Sequence, residues 1–109
     1  ILEQLQNSPE TIEFNDVITY IDENYDFTPT LFKNGDIINE AGQNNGSCKV
    51  FSFAKIHELP AEKVVFLFGK FYRDDVVKHP EGTDHLNIRN FMKYGWEGIS
   101  FEGQALQNK

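Results

Sequence analysis

The chain has 109 residues, too few to close two separate cores, so a single domain over residues 1–109 is expected. Ten Phe, four Tyr and one Trp exclude a disordered chain, and one cysteine excludes an internal disulfide. Seventeen acidic residues against ten basic ones leave a net charge of −7, and no two Lys or Arg residues are adjacent, which argues against nucleic acid and anionic membranes as partners.

"ILEQLQN" (Ile1–Asn7) reads as a short helix ended by the turn-forming pair Ser8-Pro9. The chain opens on Ile1 and not on methionine, so a few upstream residues are expected. With an acid at its third position and no extended apolar stretch, this opening does not read as a signal peptide. Phe14, Val17, Ile18, Ile21 and Tyr25 recur at helical spacing behind Asn15 as N-cap, which predicts an amphipathic helix facing the core. Asn34-Gly35 is a signal for a type I′ hairpin turn, which would set Lys33 opposite Asp36, Phe32 opposite Ile37 and Leu31 opposite Ile38. An isolated hairpin is marginal, and "GISFEG" (Gly98–Gly103) supplies the strand expected to join it, because Ile99 and Phe101 alternate with polar residues.

Asn39–Gly46 is a polar loop without periodicity. Behind Ser47 as N-cap, Val50, Phe51, Phe53, Ala54 and Ile56 predict a helix that is apolar on most sides and therefore central. Pro60 opens the next helix, with Glu62 near its positive end and Val64, Val65, Phe68, Phe71 and Tyr72 along it. The longest apolar run, Val64–Phe68, is far short of the ~20 residues a membrane span needs. "HPEG" (His79–Gly82) reads as a type I turn, and Thr83 as the cap of a last helix that turns Ile88, Phe91 and Met92 inward and ends near Lys93 and Gly95. Trp96 is read as core. The predicted fold class is α+β: a single small domain, mainly helical, with a two- or three-stranded antiparallel sheet.

Two blocks, Asn24–Ala54 and Phe71–Gly103, carry the phrases "YDFTPT", "NEAGQNNGSCK", "GTDHLNIRNFM" and "GWEGISF". Together these resemble the HopJ type III effector family of bacterial proteins over nearly the whole chain. The resemblance implies a bacterial protein that acts in its own cytoplasm or, as the family name suggests, after delivery into a host cell by type III secretion. It implies no particular activity and assigns no catalytic residue. The expected function is binding of a protein or small polar ligand, with no cofactor.

A cysteine enzyme is the alternative. With Ser47 as N-cap, Cys48 would be the first helical residue, where free N–H groups and the positive helix end favour a thiolate. "QNNGSCKVF" is similar to the cysteine-bearing stretch of papain-like proteases, which implies Gln43 as oxyanion donor to Cys48. Lys49 replaces the Trp of those enzymes, however, and their His would fall beyond the end of this chain. His57 lies nine residues along the same helix, ~13 Å away, which leaves His85 as the base, or His79, with Asn87 or Asn90 as orienter. Free cysteines are among the most buried residues, so the plainer expectation is a thiol in the core.

"RDDVVKHPEGTDHLNIRN" (Arg73–Asn90) gathers Asp74, Asp75, His79, Asp84 and His85, all possible metal ligands, with Asp75 and His79 four apart. The spacing matches neither a zinc finger nor a calcium loop, and no metal is expected. The helix dipole accounts for Asp84, and a solvated face for His85 and Arg89. For ligand binding the candidates are Glu40, Gln43 and Asn44 from the polar loop, with Asp84, Asn87 and Arg89.

Overall fold

A computed structural model describes residues 1–109 as an α+β domain built around one helix. That helix, α3 (Asn45–Ile56), has Cys48, Val50, Phe51, Phe53 and Ala54 fully enclosed, so neighbours cover it on nearly every side. Ile56 is the exception: it is 49% exposed, because it faces outward in the last turn. α2 (Phe14–Asn24) and the short α4 (Ala61–Val64) pack on α3, α5 (Leu86–Tyr94) meets it through Phe91 against Phe51, and α1 (Leu2–Asn7) packs on the 3-10 turn Pro9–Thr11 that follows it. α2 contributes Val17 and Ile21, and α5 contributes Ile88 and Phe91, while Met92, expected inward, is 52% exposed. The Phe51 ring is the hub, with centroids 4.9 Å from Phe91, 5.4 Å from Phe68 and 6.1 Å from Phe32. Trp96 is half-buried and packs edge-on against Phe91, its indole N–H donating to the Leu59 carbonyl at 2.8 Å.

The helix starts differ from the predicted caps. Glu13, not Asn15, precedes α2, since the Asp16 and Val17 amides already donate to its carbonyl. Asn44, not Ser47, precedes α3, and His85, not Thr83, precedes α5. The helix expected from Pro60 through Tyr72 is broken. After α4 a 3-10 turn (Val65–Phe68) runs into Gly69, whose φ of +59° ends it, and a π-helical turn follows over Phe71–Val76. No helix is long and apolar enough to cross a membrane.

Two antiparallel sheets complete the fold. β2 (Phe32–Asn34) lies between β3 (Ile37–Asn39) and β4 (Ile99–Phe101), so the C-terminal strand does join the hairpin. The turn is displaced by one residue from the prediction: Asn34 pairs with Ile37, Lys33 with Ile38 and Phe32 with Asn39. Gly35-Asp36 therefore make the turn, and of the two only Gly35 has positive φ (+63°), the pattern of a type II′ turn. The shift aims Phe32 and Asn34 inward and Lys33 outward. A second sheet, unforeseen in the sequence, pairs β1 (Tyr25–Phe27) with β5 (Leu106–Asn108) and takes Tyr25 out of the helix.

Candidate functional site

The starts of α3 and α5 open on one groove of about 630 Å³. Phe14, Phe68, Phe71, Leu86 and Ile88 contribute apolar lining, and Asn39, Asn44, Ser47, Thr83, His85 and Asn87 polar lining. At Gly46 α3 passes close to the Phe14 ring: a Cβ there would sit 2.8 Å from Phe14 Cζ.

Both helices start from a residue in the left-handed region, Asn44 (φ +53°) and His85 (φ +49°), types that tolerate it better than most. Neither side chain caps its own helix. Asn44 Nδ2 donates to Asn39 Oδ1 at 2.7 Å, which joins the loop to a buried amide cluster. Within it Asn39 and Asn87 exchange amide hydrogen bonds at 3.0 Å in each direction. Asn34, wholly buried, donates from Nδ2 to the Asn87 carbonyl (2.8 Å) and to Asn87 Oδ1 (3.0 Å). This cluster explains the hairpin shift: the Asn34 amide is used in the interior and is not free for the turn.

Arg89 gathers the loop before α5. Its guanidinium donates to the carbonyls of Asp84 (2.6 Å), His79 (2.7 Å) and Asp75 (3.4 Å), and to Asp84 Oδ1 at 2.7 Å. That guanidinium holds the Asp84 carboxyl below the usual carboxylate range, with His85 adding in the same direction. Gly82 packs on the guanidinium, which a Cβ would meet at 2.5 Å. Arg89 is thus a clamp for the loop, its side chain 12% exposed where a solvated face was expected. The His85 ring stacks near Phe71 (centroids 5.0 Å apart), with Nε2 2.9 Å from Asp75 Oδ2.

Of the residues singled out from the sequence, Asn44, Asn87 and His85 converge on the groove. Gln43 does not: its Oε1 accepts from the Glu40 amide at 3.1 Å, so both residues stay in an exposed turn. Cys48 is 1% exposed, and its Sγ faces the Thr30 carbonyl at 4.0 Å. Its own amide donates to the Asn44 carbonyl, so the free N–H groups of the helix start lie upstream of the thiol. Burial pushes the thiol upward from its usual pKa, outweighing the opposite influence of the neighbouring Thr30 backbone and Ser52 side chain. No histidine hydrogen-bonds to it: His85 is held by Asp75, and His57 Nε2 lies 3.1 Å from the Tyr25 hydroxyl. In this structure the Cys48 thiol is therefore enclosed, and His57 and His85 are engaged elsewhere. Of the five possible metal ligands, Asp75, Asp84 and His85 come together, while Asp74 pairs with Lys78 at 3.3 Å and the His79 carbonyl goes to Arg89.

Phe14, Phe71, Ser47 and Thr83 were missed as site residues. The two Phe fit helical periodicity and read as core, and Ser47 and Thr83 read as caps.

Residues 1–106 match the HopJ type III effector protein family. The crystal structure of a protein of unknown function, VPA0580, superposes with a TM-score of 0.97 at 54% identity, covering 99% of this chain and 90% of that one. No curated protein matches the chain.

Proposed function

The chain belongs to the HopJ type III effector protein family, and from that premise we propose that it is a binding protein whose ligand lies in the groove between the starts of α3 and α5. The observation that carries this reading is the groove itself. Its volume falls in the ~300–1,000 Å³ range of small-molecule sites, and it combines aromatic lining with a few fixed polar groups. A small ligand with one apolar face suits it, stacking on Phe14 and Phe71 while hydrogen-bonding to Asn44, Ser47 or Thr83. Asn39 and Asn87 are already tied to each other and serve to hold the floor in place.

The test is a fragment screen read by amide chemical shifts. Hits are expected to move the amides of Asn44–Ser47 and His85–Ile88, and Thr83→Trp, which fills the groove from an exposed position, should abolish those shifts. Hits that cluster elsewhere, or that bind Thr83→Trp equally well, would overturn the reading. The family's description also supports delivery into a host cell through a type III system as the setting of this binding. A translocation-reporter fusion of the full gene product, with and without a working secretion system, tests that part; a signal independent of the system would refute it.

A further inference from the structure

We propose that Asp75, Asp84 and His85 form a binding site for one divalent first-row transition ion at the rim of the groove. The site stands on its own geometry and does not depend on the groove holding a ligand. One donor atom from each of the three residues lies within 4.8 Å of the other two. The donors come from two segments, the π-helical turn and the loop before α5, so only the folded chain assembles them.

Donors around an ion at ~2.1 Å stand about 3.0–3.4 Å apart in octahedral or tetrahedral sites. His85 Nε2 and Asp75 Oδ2, at 2.9 Å, stand just short of the lower end of that spacing. Asp84 Oδ2 stands 3.9 Å from the same nitrogen and the three donors all lie within 4.8 Å of one another, so closing the set takes a shift of about 1–1.5 Å, within reach of a side-chain rotation. The imidazole would coordinate through Nε2 in its neutral form, with its proton on Nδ1.

What surrounds the donors favours a site over a chance cluster. Arg89 binds Asp84 through Oδ1, leaving Oδ2 on the side of His85, and the same guanidinium fixes the carbonyls of Asp75 and Asp84. Orientation of this kind by groups behind the ligands is what metal sites use to hold their donors in place. One imidazole with two carboxylates suits Mn²⁺, Fe²⁺, Co²⁺ or Zn²⁺ better than the all-oxygen preference of Mg²⁺ and Ca²⁺. Because Arg89 offsets one of the two negative charges, the site belongs with moderate, exchangeable binders and not with permanent structural ones. Water would fill the remaining positions. The local sequence conceals this set, since Asp75 and His85 are ten apart and the four-apart pair, Asp75 and His79, is the wrong one.

Titration calorimetry of the full chain with ZnCl₂ and with MnCl₂ should show one equivalent bound. Asp75→Asn and His85→Asn should each weaken it by about tenfold or more. Asn at position 85 keeps a residue that tolerates positive φ, and His79→Asn is the control that should change nothing. On the unmodified protein, substoichiometric Mn²⁺ should broaden the amide signals of residues 75, 84 and 85 first, a readout that needs no variant to fold. Absence of one-site binding with both ions, an affinity unmoved by both substitutions, or broadening centred on another part of the acidic surface would overturn the site.

Discussion

At the scale of single residues, the sharpest contrast lies between Cys48 and His85, which the sequence allowed as partners and the fold uses separately. Cys48 sits in the first turn of the central helix with the core around it, so its thiol resists both ionisation and reagents. Iodoacetamide at pH 8 should therefore leave the native protein nearly unmodified while alkylating the unfolded chain fully; rapid labelling of the native protein at neutral pH would contradict this placement. The same burial has a consequence for stability. A thiol whose folded pKa lies above its unfolded value keeps its proton longer in the native state, so stability is whole below the unfolded pKa of ~8.5. It is lost as pH rises through the folded value. Tyr25, also raised, chiefly by burial and then by Tyr20, adds the same sign from about pH 10. The urea midpoint should accordingly fall between pH 7 and pH 10, and by less in Cys48→Ala.

Among the elements, periodicity located α2, α3 and α5, because α2 and α5 each carry an inward apolar stripe and α3 is apolar on most sides. It failed at their starts and at the helix after Pro60, because those ends are set by contacts distant in sequence. Asn44 begins α3 by reaching Asn39, and His85 begins α5 while bound to Asp75, so neither follows local capping preference. Gly69 is the clearest case. Its position in an apolar run reads as mid-helix, yet its φ is +59° and a Cβ there would sit 2.7 Å from the backbone nitrogen of Phe14. Gly69→Ala should therefore cost about 2 kcal/mol or more, from the positive φ and the backbone clash together. Gly42→Ala, at φ +92° with nothing within 4 Å, carries only the conformational part and should cost about 1 kcal/mol. Equal midpoints for the two variants in urea would show that the close approach of Gly69 to α2 contributes nothing.

For the whole molecule, the α+β class and the three-stranded sheet were legible, but the second sheet was not. Its strands are three residues each, "YDF" and "LQN", too short for alternation to register, and the 78 residues from 28 to 105 separate them. The groove was hidden for a similar reason: it exists only where two helix starts meet across the fold, so no window of sequence contains it. The β1–β5 pairing makes the C-terminal segment part of the body and not an appendage, since Ala105 and Leu106 are buried and Leu106 pairs with Phe27. Leu106→Ala should cost about 2–4 kcal/mol as a buried Leu truncation. Removing residues 104–109 deletes that side chain together with the strand's hydrogen bonds to β1, and it uncovers Tyr25. The truncated chain should melt lower than Leu106→Ala, and lower than the full chain by roughly 10–20 °C, at the several degrees per kcal/mol typical of a domain this size. If both variants melt at the same temperature, the β1–β5 hydrogen bonds are exchanged for water at no net cost and the segment is anchored by Leu106 alone. A lower melting point for the truncation means that strand pairing itself closes the domain.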